Sequence, residues 1–500
     1  MTLAPAMLSQ IEDPALTVDE RAQLRCQLAT KLVAASNYEG AREALGDLWQ
    51  GLGERPNLHG LNEESKAEVL RAVGTLTGWL GGVQPVEGVQ ERAKNLISES
   101  ARLFERLGDT EKVAEAQMNL SVCYLREGAF DEARITLQEV LARLGDSQSE
   151  LRLRALQNLA IVESSSGRDQ EALQIHLRSV PLVETSKNNA LKGRFHHEFA
   201  LVLKKLGVDQ RREDYIDRAL VEYSAAAYHY EQAGDVRLCA IIENNIGFLL
   251  VNIGHVKDAH KHLNRARQLL VSLRDKVNVA HVDETRARAC LAEGRNAEAE
   301  KLARNCVRTM ENGDQRSVLA EFLTTHALAL SRLGRHQQAS ATFQRAMEIA
   351  ESAGYPEGAG EAALCLIEEL GNNLAPRVIY DAYSRAENSL SRSQSTTVQA
   401  RLGQCARRTL ALKINSPATP ATRAVGDTFK GCSLDEEVLR YEADLIKKAL
   451  EAADGSVTRA ARLLKVTHQG LAFILQGRHK HLLAARTPVR KRRRSIMRSH

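Results

Sequence analysis

Between residues 110 and 354 apolar residues recur three and four positions apart, as in "NLSVCYLREG" and "EARITLQEVLARLG", the spacing of one helix face. Glycine punctuates these stretches with a fixed beat. Gly128, Gly167, Gly207, Gly254, Gly294 and Gly334 are separated by 39, 40, 47, 40 and 40 residues. Seven residues before each glycine stands a small residue: Ser121, Ala160, Ala200, Gly247, Ala287 and Ala327. Five residues after most of them comes an alanine, at Ala133, Ala172, Ala259, Ala299 and Ala339. After Gly207 the matching Ala219 arrives seven residues late, which accounts for the one longer step. The pattern predicts two helices per repeat, with each glycine at the helix end and turn, where a positive φ is cheap. The two small columns mark where the paired helices cross closely, because a larger side chain would hold them apart. One pair cannot bury its own apolar face, so the pairs must stack.

A small residue followed twelve positions later by alanine resembles the tetratricopeptide repeat, lengthened here from the usual 34 residues to about 40. The resemblance is strong from Thr110 to Gly354 and looser at both ends. "LRCQLATKLVAASNYEGAREAL" keeps the twelve-residue step with Ala29 and Ala41, whereas "GWLGGVQPVEG" interrupts it. The expected fold class is all-α: a tetratricopeptide-like α-solenoid followed by a small helix-turn-helix domain. The divisions expected are divergent helical repeats over 1–108, regular repeats over 109–358, a degenerate repeat and closing helix over 359–413, a linker over 414–430, a small domain over 431–480 and a basic arm over 481–500. The resemblance implies a groove that takes a protein or peptide partner. Asn119, Asn158 and Asn245, two residues before the small position, fall where it places groove-facing side chains. An amide can bond a peptide backbone as donor and as acceptor, or equally tie one repeat to the next. The column changes to Glu198, Thr285 and Thr325 in other repeats.

The repeat frame breaks at "INSPATPATRAVGD", a linker by its prolines and small polar residues. "SLDEEVLRYEADLIKKALEAADG" then predicts a long helix, capped by Ser433 with Glu436 three residues on. In "SVTRAARLLKVTHQGLAFIL", Ala460 and Ala461 are small where two short helices must touch, and Leu464, Val466, Leu471 and Leu475 can close a core. Thr467 suits the N-cap of the second short helix.

Charge sharpens this picture. The chain carries +5 overall, but residues 431–500 hold 15 Lys+Arg against 7 Asp+Glu, leaving −3 for the rest. From Gly455 onward there are 12 basic residues and no acidic one, which points to a polyanionic partner.

The long helix, the step "GSVTRAARLL" and the turn after it resemble the Fis-type helix-turn-helix that ends many bacterial enhancer-binding regulators. The likeness covers Leu434 to Gln476. It implies a homodimer through the helix 434–453, with two recognition helices presented to successive major grooves of double-stranded DNA. Carried over by position, Thr467, His468, Gln469 and Gly470 open the recognition helix, followed by Ala472, Phe473 and Gln476. Gln469 can pair with adenine, and Ala472 or Phe473 can touch a thymine methyl. Arg478, His479 and Lys480 are placed to hold phosphates, and Arg490, Lys491, Arg492, Arg493 and Arg494 to follow the backbone or enter a minor groove. Two departures stand out. Ala472, Phe473 and Ile474 replace residues that are often basic in the family, and Lys465 stands where glycine is usual, at a cost on the order of 1 kcal/mol in a left-handed turn.

Several function classes find no support. There is no run of 18 apolar residues and no basic-then-apolar start, so neither a membrane span nor a secretion signal is expected. The eight cysteines are scattered singly and read as reduced thiols of a cytoplasmic protein. The absence of a G-x-x-x-x-G-K-[ST] loop excludes the nucleotide-driven module of many enhancer-binding regulators. Of His255, His260 and His262, the last two are two apart on a predicted helix and point to different faces, so the group does not read as a metal site. No catalytic constellation and no cofactor site is found, so the chain is not expected to be an enzyme. The expected role is a DNA-binding transcriptional regulator that also binds a protein or peptide. The rival is an interaction scaffold whose C-terminal domain dimerises and meets nucleic acid only nonspecifically. An RNA-associated protein rests on the arginine-rich tail alone.

Overall fold

The computed structural model describes residues 11, 13–34, 37–83, 88–311, 313, 315–391, 393, 395–415, 434–453 and 455–485. Among these residues there is no strand. The chain divides into two units, one ending at Ile414 and one beginning at Asn415.

The first unit is a stack of helix pairs. They are α1 (Val18–Ala34) with α2 (Tyr38–Leu45), α3 (Glu63–Val83) with α4 (Val89–Leu107), and α5 (Thr110–Glu127) with α6 (Phe130–Leu144). Next come α7 (Glu150–Ser165) with α8 (Asp169–Thr185), α9 (Asn189–Gln210) with α10 (Glu213–Gln232), and α11 (Val236–Asn252) with α12 (Val256–Ser272). The stack continues with α13 (Lys276–Ala292) and α14 (Asn296–Met310), α15 (Arg316–Arg332) and α16 (His336–Ser352), and α17 (Pro356–Leu370) and α18 (Pro376–Leu390); α19 (Thr396–Asn415) follows. Each first helix packs on its own second helix and on the pair that follows, as a solenoid requires. The first two residues of the expected linker, 414–415, belong to α19; its remainder, residues 416–430, lies outside the described residues.

The small columns sit at the helix crossings. Ala133, Ala172, Ala219, Ala259, Ala299 and Ala339 have no exposed surface, nor do Ala160, Ala200, Ala287 and Ala327. Gly247 shows how tight the crossing is: a methyl added there would lie 2.6 Å from Cγ and Cδ2 of Leu263 on the partner helix. Five of the six punctuating glycines hold a left-handed conformation at the turn. Gly207 does not. It lies buried inside α9, where an added methyl would meet Ile216 at 2.7 Å. The helix runs on to Gln210, and Arg211 takes the left-handed place with φ 54°. The long step is thus an extended first helix, and Gly207 is a packing glycine rather than a turn glycine.

In the second unit, α20 (Leu434–Ala452), α21 (Val457–Leu463), α22 (His468–Gln476) and a 3-10 turn (Lys480–Ala485) surround one small core. Ile446, Leu450, Ala460, Ala461, Leu471 and Leu475 are buried in it. Leu464 only packs at its edge, and Val466 stays exposed instead of closing the core. Leu482 takes the place expected for Val466, so the packed unit extends past Lys480 into the stretch read as an arm. Ser433, the expected cap, lies outside the described residues.

Two glycines give opposite expectations. Gly247→Val overpacks the α11–α12 crossing and should destabilise the chain by about 2 kcal/mol. Gly403→Ala, whose methyl meets nothing within 4 Å on exposed α19, should stabilise it by about 1 kcal/mol. Thermal unfolding followed by circular dichroism checks both signs.

Candidate nucleic-acid interface and solenoid groove

The step from α21 to α22 follows from local chemistry. Lys465 adopts φ 53°, and the amide of Val466 returns to the carbonyl of Ala461 at 3.0 Å, closing α21. Thr467 is extended, and its Oγ1 accepts the amide of Gly470 at 3.0 Å, capping α22. Buried Leu471 and Leu475 anchor the inner face of α22 to α20 and α21. That anchoring turns Thr467, His468, Gln469, Phe473 and Gln476 to the surface and leaves Gly470 and Ala472 half-buried. Phe473 is 78% exposed.

The residues after α22 do not all behave as phosphate holders. His479 is 2% exposed, and its Nε2 bonds Glu442 Oε2 of α20 at 2.8 Å. Arg478 donates to the other oxygen of Glu442. These bonds, Arg478 foremost, hold the Glu442 carboxyl below the usual carboxylate range. His479 is therefore a structural clamp between α20 and the 3-10 turn, not a phosphate ligand, because its ring is walled off from solvent. Arg478 is partly neutralised by the same carboxylate. Among the described residues Lys480 stays exposed without an acidic partner. So do Arg462 at the end of α21 and Lys465 in the turn, two cations that the sequence reading did not assign to DNA, although the acid-free stretch from Gly455 contained them. Arg490, Lys491, Arg492, Arg493 and Arg494 lie outside the described residues.

In the solenoid the asparagine column is half committed. Asn158 Oδ1 accepts from Arg194 Nη2 at 2.7 Å, joining α7 to α9. Asn245 Nδ2 lies 3.2 Å from His197 Nε2, joining α11 to α9. Burial pushes the His197 ring down to about 4, so it is neutral and can accept that amide proton. Asn119 is half-buried, and its side chain has no hydrogen bond among the described residues. At Thr325 the column supports buried Glu284, which also binds Arg288.

Between α9 and α11 a cleft of about 400 Å³ opens, walled by Leu201, Lys204, Val208 and Phe248. The Lys204 ammonium lies 5.8 Å from the Phe248 ring and has no carboxylate partner among the described residues, and burial pushes its pKa down. Arg288 approaches the same ring at 5.6 Å. Next to this cleft Glu198 has no side-chain hydrogen bond among the described residues, and burial raises its pKa. A desolvated cation beside an aromatic face suits an apolar group carrying negative charge.

The histidines noted in the sequence have separate carboxylates: His260 meets Glu293 at 3.1 Å and His262 meets Glu243 at 2.7 Å. Among the described residues no group of three or more His, Cys, Asp or Glu could hold a metal ion. None of the described helices is long and apolar enough to cross a membrane.

Comparison with known families agrees with this architecture. Tetratricopeptide-repeat models match residues 113–185 and 320–352. The model for bacterial regulatory proteins of the Fis family matches residues 440–472. The chain thus carries tetratricopeptide repeats and a C-terminal Fis-family segment. A comparison with curated proteins finds no match. Similar solved structures include a Rap protein complexed with competence and sporulation factor, at 13% identity and a TM-score of 0.48, covering 79% of this chain and 98% of that one. Another is a signal transduction ATPase with a tetratricopeptide repeat sensor from Pyrococcus horikoshii, at 12% identity and 0.48, covering 81% and 70%. A third is aspartyl phosphate phosphatase F from Bacillus subtilis, at 13% identity and 0.46, covering 68% and 86%.

Glu442→Ala should leave buried His479 without its acceptor and destabilise the C-terminal unit by about 1–3 kcal/mol. Because the folded-state pKa of Glu442 is depressed, its contribution is complete above the ordinary carboxylate range and is lost as pH falls below it. Hydrogen exchange at the amides of α20 and α22, measured at pH 7 and near pH 3, checks both statements.

Proposed function

We propose that a chain joining tetratricopeptide repeats to a Fis-family helix-turn-helix acts as a bacterial, cytoplasmic transcriptional regulator. Its C-terminal unit binds double-stranded DNA as a dimer, and its solenoid takes a protein or peptide partner. The observation that carries this reading is the surface of α22: a capped helix start whose exposed side chains are His468, Gln469, Phe473 and Gln476. Such a helix can enter a major groove, where its first turn meets base edges. Gln469 offers the bidentate amide that adenine accepts, and Phe473 an apolar contact for a thymine methyl. Arg462, Lys465 and Lys480 supply phosphate contacts from the flanks.

Dimerisation is supported by the outer face of α20. Tyr441 is 68% and Leu445 41% exposed, one helical turn apart, while Ile446, Ala449 and Leu450 face inward. An apolar seam of that kind suits a second copy of the helix. The solenoid's role is supported by the cleft at Lys204 and Phe248, which fits a partner segment bearing an acidic and an apolar side chain. Partner binding would then act on DNA binding through the segment that joins the two units.

A second reading keeps the fold but makes the C-terminal unit a protein-contact and dimerisation module. It is favoured by the uncharged surface of α22 and by Glu442, which partly neutralises Arg478.

Selection of randomised duplexes by the full-length protein separates the two. A two-fold symmetric motif is expected, with affinity falling about tenfold or more in Gln469→Ala, on the 1–3 kcal/mol scale of one bidentate base contact. Unselective binding that is unchanged in Gln469→Ala and Phe473→Ala, and lost steeply with salt, would favour the scaffold.

A further inference from the structure

From α10 to α18, three of the four steps between consecutive second helices are joined by an ion pair at a fixed register. Arg265 of α12 meets Glu231 of α10 at 3.2 Å, Arg345 of α16 meets Glu311 beside α14 at 3.1 Å, and Arg385 of α18 meets Glu351 of α16 at 3.8 Å. Partners are 34 residues apart in the first two, and the numbering gives the same step for the third. The register places one more pair between α12 and α14, at residues 271 and 305. There the chain has Val271 and Asn305.

A cleft opens where the bridge is missing. It measures about 510 Å³, against about 220 Å³ at the α16–α18 step, whose lining includes the bridging Arg385. Val279 and Ala280 of α13 and Leu302 and Cys306 of α14 give it apolar walls, with Val271 half exposed at the mouth. The carboxylates at its edge are engaged. Asp283 accepts from Arg267 at 2.8 Å and from Arg286 at 2.9 Å. Asp275 caps α13 and accepts from Arg237 at 3.2 Å. Two lining cations are exposed and, among the described residues, have no acidic partner: Arg274 and Lys276. Arg274 also holds φ 56°, a left-handed turn position occupied by glycine at Gly234 and Gly354, one repeat before and two repeats after it. A side chain stands there against the local backbone preference, and it lines this cleft.

We propose that this cleft between α12 and α14 is a binding site for a small amphipathic monoanion, an alkyl or aryl body carrying one carboxylate. The volume lies within the range of small-molecule sites, with mostly apolar walls and a few polar groups to orient the ligand. The apolar body rests on Val279, Ala280, Leu302 and Cys306, and the carboxylate meets Arg274 and Lys276 at the rim. This site is separate from the partner cleft at Lys204 and gives the solenoid a second kind of input, a metabolite rather than a protein.

The test uses the full-length protein and the fluorescent probe 8-anilinonaphthalene-1-sulfonate, an apolar body with one anionic group, with decanoate as competitor. One saturable site displaced by decanoate is expected. The double change Val271→Glu with Asn305→Arg restores the periodic ion pair across the mouth, so it should weaken probe binding at least tenfold while the melting temperature is held or raised. Thr309→Trp, an exposed lining position, closes the mouth without touching the core and should do the same, which guards against misfolding of the first variant. Arg274→Gly should weaken the anionic probe several-fold and leave the neutral N-phenyl-1-naphthylamine unaffected. Unchanged probe affinity in the closed variants, or equal affinity for the neutral and anionic dyes, overturns the proposal.

Discussion

Close approach of paired helices is the constraint on which the solenoid rests. At each crossing one helix offers a residue with little or no side chain, and an alanine of its partner lies against it with no solvent exposure. Small residues bury little area themselves; their role is to let the flanking leucines, phenylalanines and tyrosines reach one another across the crossing. Dispersion falls steeply with distance, so a gap of even half an ångström would forfeit a large part of that contact. Gly247 against Leu263 marks the limit, where not even a methyl fits. The lengthened α9 shows the same rule under a different constraint: the insertion is absorbed by extra helix, and Ala219 keeps its place at the crossing.

Polar groups set how one pair follows the next. Glu163 and Glu243 are buried carboxylates, and each is held by ion pairs from beyond its own helix: Arg134 and Arg168 for the first, His262 and Arg265 for the second. A buried charge is costly unless so satisfied, which makes these groups specific for one geometry of stacking. The surface Arg–Glu bridges between second helices are individually weak. Between α10 and α18 the step that has valine and asparagine in place of the pair carries a cleft of about 510 Å³. A repeat protein can in this way make a local binding feature by changing two residues while its fold is held by the other repeats.

The C-terminal unit answers a different problem. With so few residues its core is small, and the clamp between Glu442 and His479 ties the end of the packed region back to its first helix. The same carboxylate also pairs with Arg478, which stays exposed. In the proposed DNA-binding role, reading and attraction would be separated: shape and hydrogen bonds on the uncharged surface of α22, charge on Arg462, Lys465 and Lys480. The electrostatic part acts over a Debye length and needs no fixed geometry, whereas the reading part does.

The period of forty, the helix pairs, the alanine columns, the cap at Thr467 and the left-handed Lys465 were all legible in the sequence, because each depends on local backbone chemistry or on a spacing along one helix. Other features were decided by tertiary structure. Gly207 reads as a turn glycine until the packing of Ile216 shows that the helix continues through it. His479 reads as a phosphate ligand until Glu442, 37 residues earlier, is found against it. Val466 and Leu482 exchange roles because the 3-10 turn folds back on the core. The Asn158 and Asn245 amides bond to neighbouring first helices that the sequence could not bring into register. The cleft at Val271 and Asn305 is visible only against the ion pairs of the other repeats. Periodicity reports which face of a helix is apolar; it carries no distances between helices. Where a side chain's role depends on what approaches from another helix, only the packed structure can assign it.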